Sequence, residues 1–314
     1  MDRLESLRTF VTIVVLGSFA QAGKALDVAP SVVTKRLAEL EKHLGVKLLL
    51  RTTRQLRLTD HGTRYFQQAQ HLLMEFDQLD RTIGADPRAL SGLIRICCTT
   101  SLGVGYVGAE LCRFRAKHPG VHFDFILADR YLDPVTEAFD LIITDQPFPV
   151  ARELTEHNLC PLERMVCASP AYIRKRGRPA TPQDLAQHDC IHYSYLPSGT
   201  NWTFRPPEGQ RGGEIIVPIQ PVFSTSNAQV MRAIAVEGGG IALLPLHVAN
   251  ADIAQRQLVP LLAEYALPQF WIKCVLPPLS RVTARVNELV EHLRAAFASD
   301  SPWQRESHQM HRSE

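Results

Sequence analysis

Residues 1–60 constrain the fold of this chain most strongly, because they predict short helices joined by tight turns. Apolar residues recur at helical spacing between positions 2 and 16, at Leu4, Leu7, Phe10, Val11 and Val14. Gly17 is a typical helix stop, and Ser18 is a typical N-cap for a second helix that ends near residue 26. Two short helices joined in this way, with a third to follow, are typical of a helix-turn-helix.

The predicted third helix carries the side chains that such a fold would present to DNA. Pro30 suits its first position, where a missing N–H costs nothing, and Val33, Leu37 and Leu40 share one face. The positions elsewhere around the helix are Ser31, Val32, Thr34, Lys35, Arg36 and Glu39. The alternative is a surface helix with a solvated charged face, which this helix by itself leaves open.

A basic turn between two apolar segments follows in residues 47–59, directly after Gly45 closes the third helix. This pattern predicts a two-stranded wing. Arg51, Arg54 and Arg57 would lie on the wing, where guanidinium groups could contact phosphates or enter the minor groove. The wing favours DNA binding over the solvated surface helix.

Residues 17–62 resemble the winged helix-turn-helix of LysR-type transcriptional regulators. The matching elements are Gly17-Ser18-Phe19, Ala25-Leu26, Leu40-Glu41, Leu44-Gly45, Leu48-Leu49, Arg51-Thr52-Thr53-Arg54, Leu58-Thr59 and Gly62. The resemblance extends to about residue 297 and implies a set of DNA-binding residues, namely Ser18, Ser31, Val32, Thr34, Lys35, Arg36, Arg51, Thr52, Thr53 and Arg54. Pro30-Ser31 stands where the family commonly has Gln-Pro, so the base contacts of that Gln do not transfer.

Charge is unevenly distributed along a chain whose formal net charge is only +2. Residues 1–65 contain 11 Lys and Arg against 6 Asp and Glu, whereas the remaining residues contain 23 against 26. A basic head on a near-neutral body is typical of a DNA-binding module joined to a domain with another task. No apolar run approaches the roughly 20 residues that span a bilayer, so we expect a cytoplasmic protein without membrane contact.

A heptad pattern occupies residues 60–84. Its apolar positions are Tyr65, Ala69, Leu72, Phe76, Leu79 and Ile83, spaced alternately by four and three residues. This pattern predicts a long helix with a seam for a partner helix, and the alternative is a helix that packs on its own domain. The resemblance implies a linker helix that dimerises the protein, and a dimer can read two half-sites.

From residue 93 onward, strand and helix patterns alternate, which is typical of parallel α/β sheets covered on both faces. Two such cycles, with the chain returning to the first, predict a two-lobed α/β domain like a periplasmic binding protein, as the resemblance also implies. The predicted segments are the winged helix-turn-helix at 1–59, the linker helix and hinge at 60–91, the effector-binding domain at 92–300 and a disordered tail at 301–314. The two predicted lobes are 92–161 with 268–300, and 162–267.

Hydroxyl-bearing residues occur at several predicted strand ends, where open α/β sheets bind ligands. Thr99, Thr100 and Ser101 end the first strand and begin a helix, so that hydroxyls and N–H groups suit a carboxylate; a simple N-cap is the alternative. The other candidates are Thr144, Asp145, Tyr193, Ser194, Thr225 and Ser226, the last also a plausible N-cap. The resemblance implies that a small effector binds here. Many relatives carry an Arg near residues 144–145, which this chain lacks.

The sequence predicts no catalytic site, metal site or cofactor. Its 12 histidines form no H-E-x-x-H, and G-x-S-x-G is absent as well. The seven cysteines contain no C-x-x-C pair and indicate a reduced protein. Cys97 and Cys98 should point to opposite faces of a strand, with a redox-sensing pair as the alternative.

These observations predict a LysR-type regulator that binds double-stranded operator DNA as a dimer or tetramer and responds to a small effector, a carboxylate. The resemblance also implies contact with RNA polymerase. One alternative is an enzyme, which the absence of catalytic motifs disfavours. The other is an architectural DNA-binding protein whose body only oligomerises, which the strand-end hydroxyls disfavour.

Overall fold

Three helices begin the chain in the computed structural model, which describes residues 2–51, 56–82, 90–146, 154–207 and 212–298. They are α1 (Arg3–Leu16), α2 (Phe19–Ala25) and α3 (Pro30–Leu44). The side chains of Asp2 and Ser18 accept N–H groups at the starts of α1 and α2. Gly17 and Gly45 end α1 and α3 with φ of +63° and +71°, a left-handed conformation that glycine adopts without strain. These boundaries agree with the prediction.

The predicted apolar faces form the core of this part of the chain. Phe10, Val33, Leu37 and Leu40 are buried together, with Val11 and Val14 half-buried against them. Ile13, which was not predicted, is buried in the same core. The next two elements, β1 (Leu49–Arg51) and β2 (Leu56–Leu58), pair antiparallel as the predicted wing.

A 23-residue helix, α4 (Asp60–Thr82), follows the wing. Its apolar residues face two directions: Ala69 and Leu73 are buried against Leu7 of α1, whereas Leu72 and Phe76 are 57% and 41% exposed. The predicted seam is therefore divided between a face that packs on the chain itself and an exposed face. Residues 83–89 of the predicted linker helix and hinge lie outside the described residues.

Two five-stranded sheets make up most of the remaining chain. The first run of elements is β3 (Ser91–Cys98), α5 (Thr100–Leu102), a π-helical turn (Gly103–Val107), α6 (Gly108–Lys117), β4 (Gly120–Leu127), β5 (Leu141–Thr144) and β6 (Thr155–Leu162). The second run is β7 (Arg164–Ala168), α7 (Pro170–Arg176), a 3₁₀ turn (Pro182–Gln187), β8 (Asp189–Tyr193), β9 (Asn201–Phe204), β10 (Ile215–Pro218), β11 (Gln220–Thr225), α8 (Ala228–Val236), β12 (Ile241–Pro245), α9 (Leu246–Ala254), β13 (Val259–Leu261), β14 (Phe270–Leu276), a 3₁₀ turn (Leu279–Arg281) and α10 (Ala284–Ala298).

The strand orders are β4-β3-β5-β14-β6 in one sheet and β11-β8-β12-β7-β13 in the other. Both sheets are mixed, which corrects the expectation of parallel sheets. Strands β3 and β5 run parallel, as do β8, β11 and β12, but β14 and β7 run antiparallel to their neighbours. Both exceptions are strands that the chain enters from the other sheet: β7 follows β6, and β14 follows β13, so neither is reached by the helical crossover that joins parallel neighbours within one sheet.

The start of α8 differs from the sequence prediction. Asn227, not Ser226, is the N-cap, and its side-chain oxygen accepts the N–H of Val230 at 3.0 Å.

Gly240 follows α8 with φ of +153°, and a Cβ there would lie 2.6 Å from the carbonyl oxygen of Asp189. The run of three glycines at 238–240 is therefore a tight turn between helix and strand.

The chain divides into two compact units. The first contains residues up to 94 with 118–122 and 132–139, and the second contains 95–117, 123–131 and 140 onward. None of the helices that the structure describes combines the length and hydropathy needed to cross a bilayer. The predicted tail at 301–314 lies outside the described residues.

Candidate DNA-binding and effector sites

In the first unit, α3 exposes most of the residues predicted to meet DNA. Ser31, Val32, Thr34 and Lys35 are exposed, because the opposite face of α3 carries its apolar residues into the core. Arg36 differs, since its Nη1 lies 2.9 Å from Oε2 of Glu5 in α1. A phosphate would have to compete with that carboxylate for Arg36, whereas Lys35 is open to solvent.

The remaining predicted DNA contacts lie at α2 and on the wing. Ser18 uses its hydroxyl to cap α2, accepting the N–H of Gln21 at 3.3 Å. The backbone of Arg51 ends β1, and Thr52, Thr53 and Arg54 lie outside the described residues. The wing contacts therefore stay predictions.

A buried carboxylate, Glu41, joins α3 to the wing and was not predicted to have this role. It accepts the Lys47 ammonium at 2.6 Å and the N–H groups of residues 48 and 49 at 2.9 and 3.3 Å. Burial acts to raise the pKa of Glu41, but these hydrogen bonds outweigh it and lower the pKa below its usual 4.5. The signal in the sequence was a charge at an apolar position, four residues after Leu37 and three before Leu44.

In the second unit, a cavity opens at the carboxyl ends of β3, β5, β8 and β12, where ligands of open α/β sheets bind. Its polar lining residues are Thr99, Ser101, Asp129, Asp145, Gln146, Arg164, Tyr193 and Tyr195. Its apolar lining residues include Leu162, Trp202, Met231, Leu243 and Phe270. Thr99, Ser101, Asp145 and Tyr193 among the predicted effector residues thus come together on one cavity.

The other five predicted effector residues lie outside this lining. They are Thr100, Thr144, Ser194, Thr225 and Ser226. The Thr144 hydroxyl accepts the N–H of Gln146 at 3.0 Å, and the Thr225 hydroxyl accepts that of Asn227 at 3.3 Å. Their hydroxyls therefore shape the turns that follow β5 and β11.

Asp129 occupies the position beside α5 where a ligand carboxylate was expected. Thr100 donates its N–H to Oδ1 at 2.9 Å and its hydroxyl to Oδ2 at 2.8 Å. The Asn227 amide donates to the same Oδ2 at 2.5 Å. Both donors of Thr100, which was predicted to bind an effector, are therefore satisfied by the protein's own carboxylate.

Further hydrogen bonds join side chains on the two sheets around the cavity. Gln146 donates from Nε2 to the Asp129 carbonyl at 2.8 Å and to the Tyr193 hydroxyl at 2.5 Å. Ser101 Oγ lies 3.2 Å from Nε2 of His247, the second residue of α9. Burial lowers the pKa of His247 to about 4, so this imidazole is neutral at physiological pH.

Arg164, at the start of β7, is a cavity residue that the sequence did not predict, as are Asp129 and Gln146. Its Nη2 donates to the Pro268 carbonyl at 3.0 Å, and its guanidinium carbon lies 4.0 Å from the centre of the Phe270 ring. Its Nε is buried and, within the described part of the chain, has no hydrogen-bond partner. Burial lowers the pKa of Arg164 to about 10, which leaves it charged. The signal was a single cation directly before an apolar strand.

Asp145 supplies the cavity with a carboxyl group of unusual pKa. Burial and then the charge of Asp129 raise the pKa of Asp145 to about 6, against the opposing effects of Thr99 and Arg164. The cavity therefore presents a guanidinium with an unused donor and a carboxyl group that titrates near neutrality.

Three other features carry no ligand chemistry. Gly103, Gly105 and Gly108 have the spacing G-x-G-x-x-G, but they lie within the helical run from α5 to α6, where the N–H groups of Gly103 and Gly108 bond to helical carbonyls. None of the six buried cysteines that the structure describes forms a disulfide, and burial raises the pKa of Cys160 and Cys167 to about 12, which opposes thiolate reactivity. The described residues contain no cluster of three or more potential metal ligands.

Comparison with known proteins matches both parts of the chain. Residues 4–63 match the model of the bacterial regulatory helix-turn-helix protein, lysR family, and residues 87–298 match the LysR substrate binding domain. The chain is 31% identical over 304 residues to the HTH-type transcriptional regulator DmlR of Escherichia coli, covering 95% of this chain and 96% of that one. It is 30% identical over 264 residues to the HTH-type transcriptional regulator CrgA of Neisseria meningitidis, covering 83% and 85%. Its fold is similar to that of the Vibrio cholerae virulence activator AphB, with a TM-score of 0.60 at 23% identity, over 94% and 99% of the two chains.

Proposed function

The chain belongs to the LysR family of transcriptional regulators, and on this premise we propose that a small carboxylate in the cavity controls how its winged helix-turn-helix holds an operator. The family supplies the coarser statement, which is a DNA-binding helix-turn-helix joined to an effector-binding domain. The proposal adds the effector's chemical class, the site residues and the domain limits of 1–59, 60–91 and 92–300.

The observation that carries the carboxylate is the buried Nε of Arg164. An N–H that is removed from water without a partner costs free energy, and a bound acceptor would recover it. A carboxylate is the acceptor that matches a guanidinium best, through short charge-assisted hydrogen bonds. Ser101 and Thr99 line the same cavity and offer hydroxyls to the same ligand.

The positions of the cavity side chains support control through a shift in the population of arrangements of the two sheets. Ser101 and Asp145 lie at strand ends of one sheet, whereas Arg164 and Tyr193 belong to the other. A ligand that bonds to both sets favours the arrangement of the sheets in which both can reach it. Operator binding would then respond to the ligand through that arrangement.

DNA binding in this proposal uses a homo-oligomer, a dimer or a tetramer. The exposed Leu72 and Phe76 on α4 support it, because a partner helix would remove both from water. The exposed ammonium group of Lys35 on α3 supports direct contact with DNA phosphates. The proposal also includes a cytoplasmic location, where the operator is accessible, and contact with RNA polymerase.

A thermal-shift panel of small carboxylates and their neutral amides tests the proposed effector class. Carboxylates should raise the melting temperature of the full chain and amides should not. The variant Arg164→Gln should lose this response while it keeps operator affinity. The matched control is Arg205→Gln, because Arg205 is an exposed arginine of the same unit, paired with Glu214 at 3.3 Å.

Two results would contradict the proposal. One is a wild-type protein whose melting temperature responds to no carboxylate, which would favour an architectural protein. The other is a carboxylate response that Arg164→Gln retains in full. If Arg164→Gln melts early without ligand, Arg164→Lys replaces it, since it keeps the charge but loses the fork of donors.

A further inference from the structure

Two oppositely charged side chains line the proposed effector cavity without neutralising each other. Asp145 and Arg164 both face it, and each influences the pKa of the other through its charge. Among the described residues, however, no ion pair joins them, and Nε of Arg164 has no hydrogen-bond partner. Two partly buried opposite charges held apart in one cavity are costly unless something lies between them.

The other carboxylate and the amide of the cavity are already engaged, and its remaining polar groups are neutral hydroxyls, so none of them determines which charges the ligand carries. Both carboxylate oxygens of Asp129 accept hydrogen bonds from Thr100 and Asn227. The Gln146 amide donates to Asp129 and Tyr193. Asp145 and Arg164 are therefore the charged groups whose capacity a ligand can use.

The balance of charge selects between ligand types. A ligand with only a carboxylate would suit Arg164, but it would add a third negative charge beside Asp129 and Asp145. A ligand with only an ammonium group would suit Asp145, but its positive charge would be repelled by that of Arg164. A ligand that carries both groups satisfies both residues and leaves the charge of the cavity unchanged.

The walls of the cavity indicate the rest of the ligand. Trp202 and Met231 are buried at 2% and 1% exposure and line the cavity together with Leu243 and Phe270. Such walls bind an apolar group and offer little to a polar one.

We infer that the effector is a zwitterion, an amino acid with an apolar side chain, whose carboxylate lies at Arg164 and whose ammonium group lies at Asp145. This inference rests on the proposed function, because it specifies the ligand of the same site.

Matched compounds that differ only in the amino group test the inference. The probes are leucine and phenylalanine, their 2-hydroxy acids, their deaminated acids, and the amines that lack the carboxylate, titrated against the full chain by calorimetry. At least one amino acid should bind about tenfold or more tightly than its deaminated acid, because a charge-assisted hydrogen bond to Asp145 is lost. The hydroxy acid should lie between them, and the amines should not bind.

The variant Asp145→Asn should remove the preference for the amino group while it preserves binding of the deaminated acid. Glu214→Gln is the matched control, since Glu214 is an exposed carboxylate of the same unit. Operator affinity and circular dichroism of each variant show whether it is folded.

The outcomes separate the inference from the proposed function. Deaminated acids that bind as tightly as the amino acids, with Arg164 still required, would overturn the inference alone. The same holds if hydroxy acids bind most tightly, or if Asp145→Asn keeps the full amino preference. If no carboxylate of any kind binds, both the inference and the proposed function are wrong.

Discussion

Replacing Asp145 by Asn should stabilise the protein at neutral pH and not in acid. The carboxyl group faces Asp129, Arg164 and the hydroxyl of Tyr193, and burial is the main cause of its raised pKa. A carboxyl group whose pKa is higher in the folded state binds its proton more tightly there. Its effect on stability is therefore smallest below the unfolded pKa of 3.8, and a penalty grows as pH rises toward about 6.

The magnitude follows from the two pKa values. A difference of about 2 units corresponds to about 3 kcal/mol at most, reached above the folded pKa of about 6. Between about pH 5 and about pH 8, the penalty should grow by roughly 1.5 kcal/mol. The stability of Asp145→Asn relative to wild type should rise by that amount over this interval, since Asn cannot ionise.

Urea unfolding measures this difference, with tryptophan fluorescence as the signal. Trp202 and Trp271 both lie in the second unit and report on its unfolding. The pH-dependent difference between variant and wild type is the quantity of interest, because it cancels the titration of all other groups. A difference that stays constant from pH 5 to pH 8, or that falls, would refute the assignment of a raised pKa to Asp145.

Three further results are expected elsewhere in the chain. Lys35→Ala should weaken binding to all DNA sequences and lower the slope of log affinity against log salt concentration by about one. Arg36→Ala should change this slope less, because Arg36 is paired within the chain. Equal slopes for Lys35→Ala and wild type in an anisotropy titration would contradict this. Leu72→Glu should reduce the molecular mass in light scattering, because a charge would be buried in the interface with a partner helix. Leu73→Glu should instead unfold the first unit, where Leu73 is buried against α1. An unchanged mass for folded Leu72→Glu argues against the interface. Glu41→Gln should cost about 1–3 kcal/mol of stability above pH 4.5. The cost should vanish as pH falls below the lowered folded pKa of Glu41. Thermal melts above and below this pH range that show the same cost would exclude the hydrogen-bonded pairing of the Glu41 carboxylate.

Sequence reasoning was most successful where neighbouring residues carry the information. The N-cap Ser18 and the helix ends at Gly17 and Gly45 follow from residues within four positions. The error at α8 shows the limit of such reasoning, because Ser226 and Asn227 are both good caps and only the backbone at residue 227 decides between them.

The lining of the cavity in the second unit was predicted only in outline. The strand-end rule placed Thr99, Ser101, Asp145 and Tyr193 at one location, and the structure brings these four onto one cavity. The same rule could not show that Thr100 is used by Asp129, which lies 29 positions along the chain.

The sequence by itself determined the helix-turn-helix, the wing, the long helix and the alternation of strands and helices, since apolar periodicity and caps act over a few residues. Only the tertiary structure decided which charges meet. Arg164 reaches the cavity because β7 directly follows β6 of the other sheet. The seam of α4 divides because α1 covers Ala69 but leaves Leu72 exposed. Pairing and burial of this kind depend on groups brought together by the path of the chain, and an isolated position in the sequence carries no record of its partner.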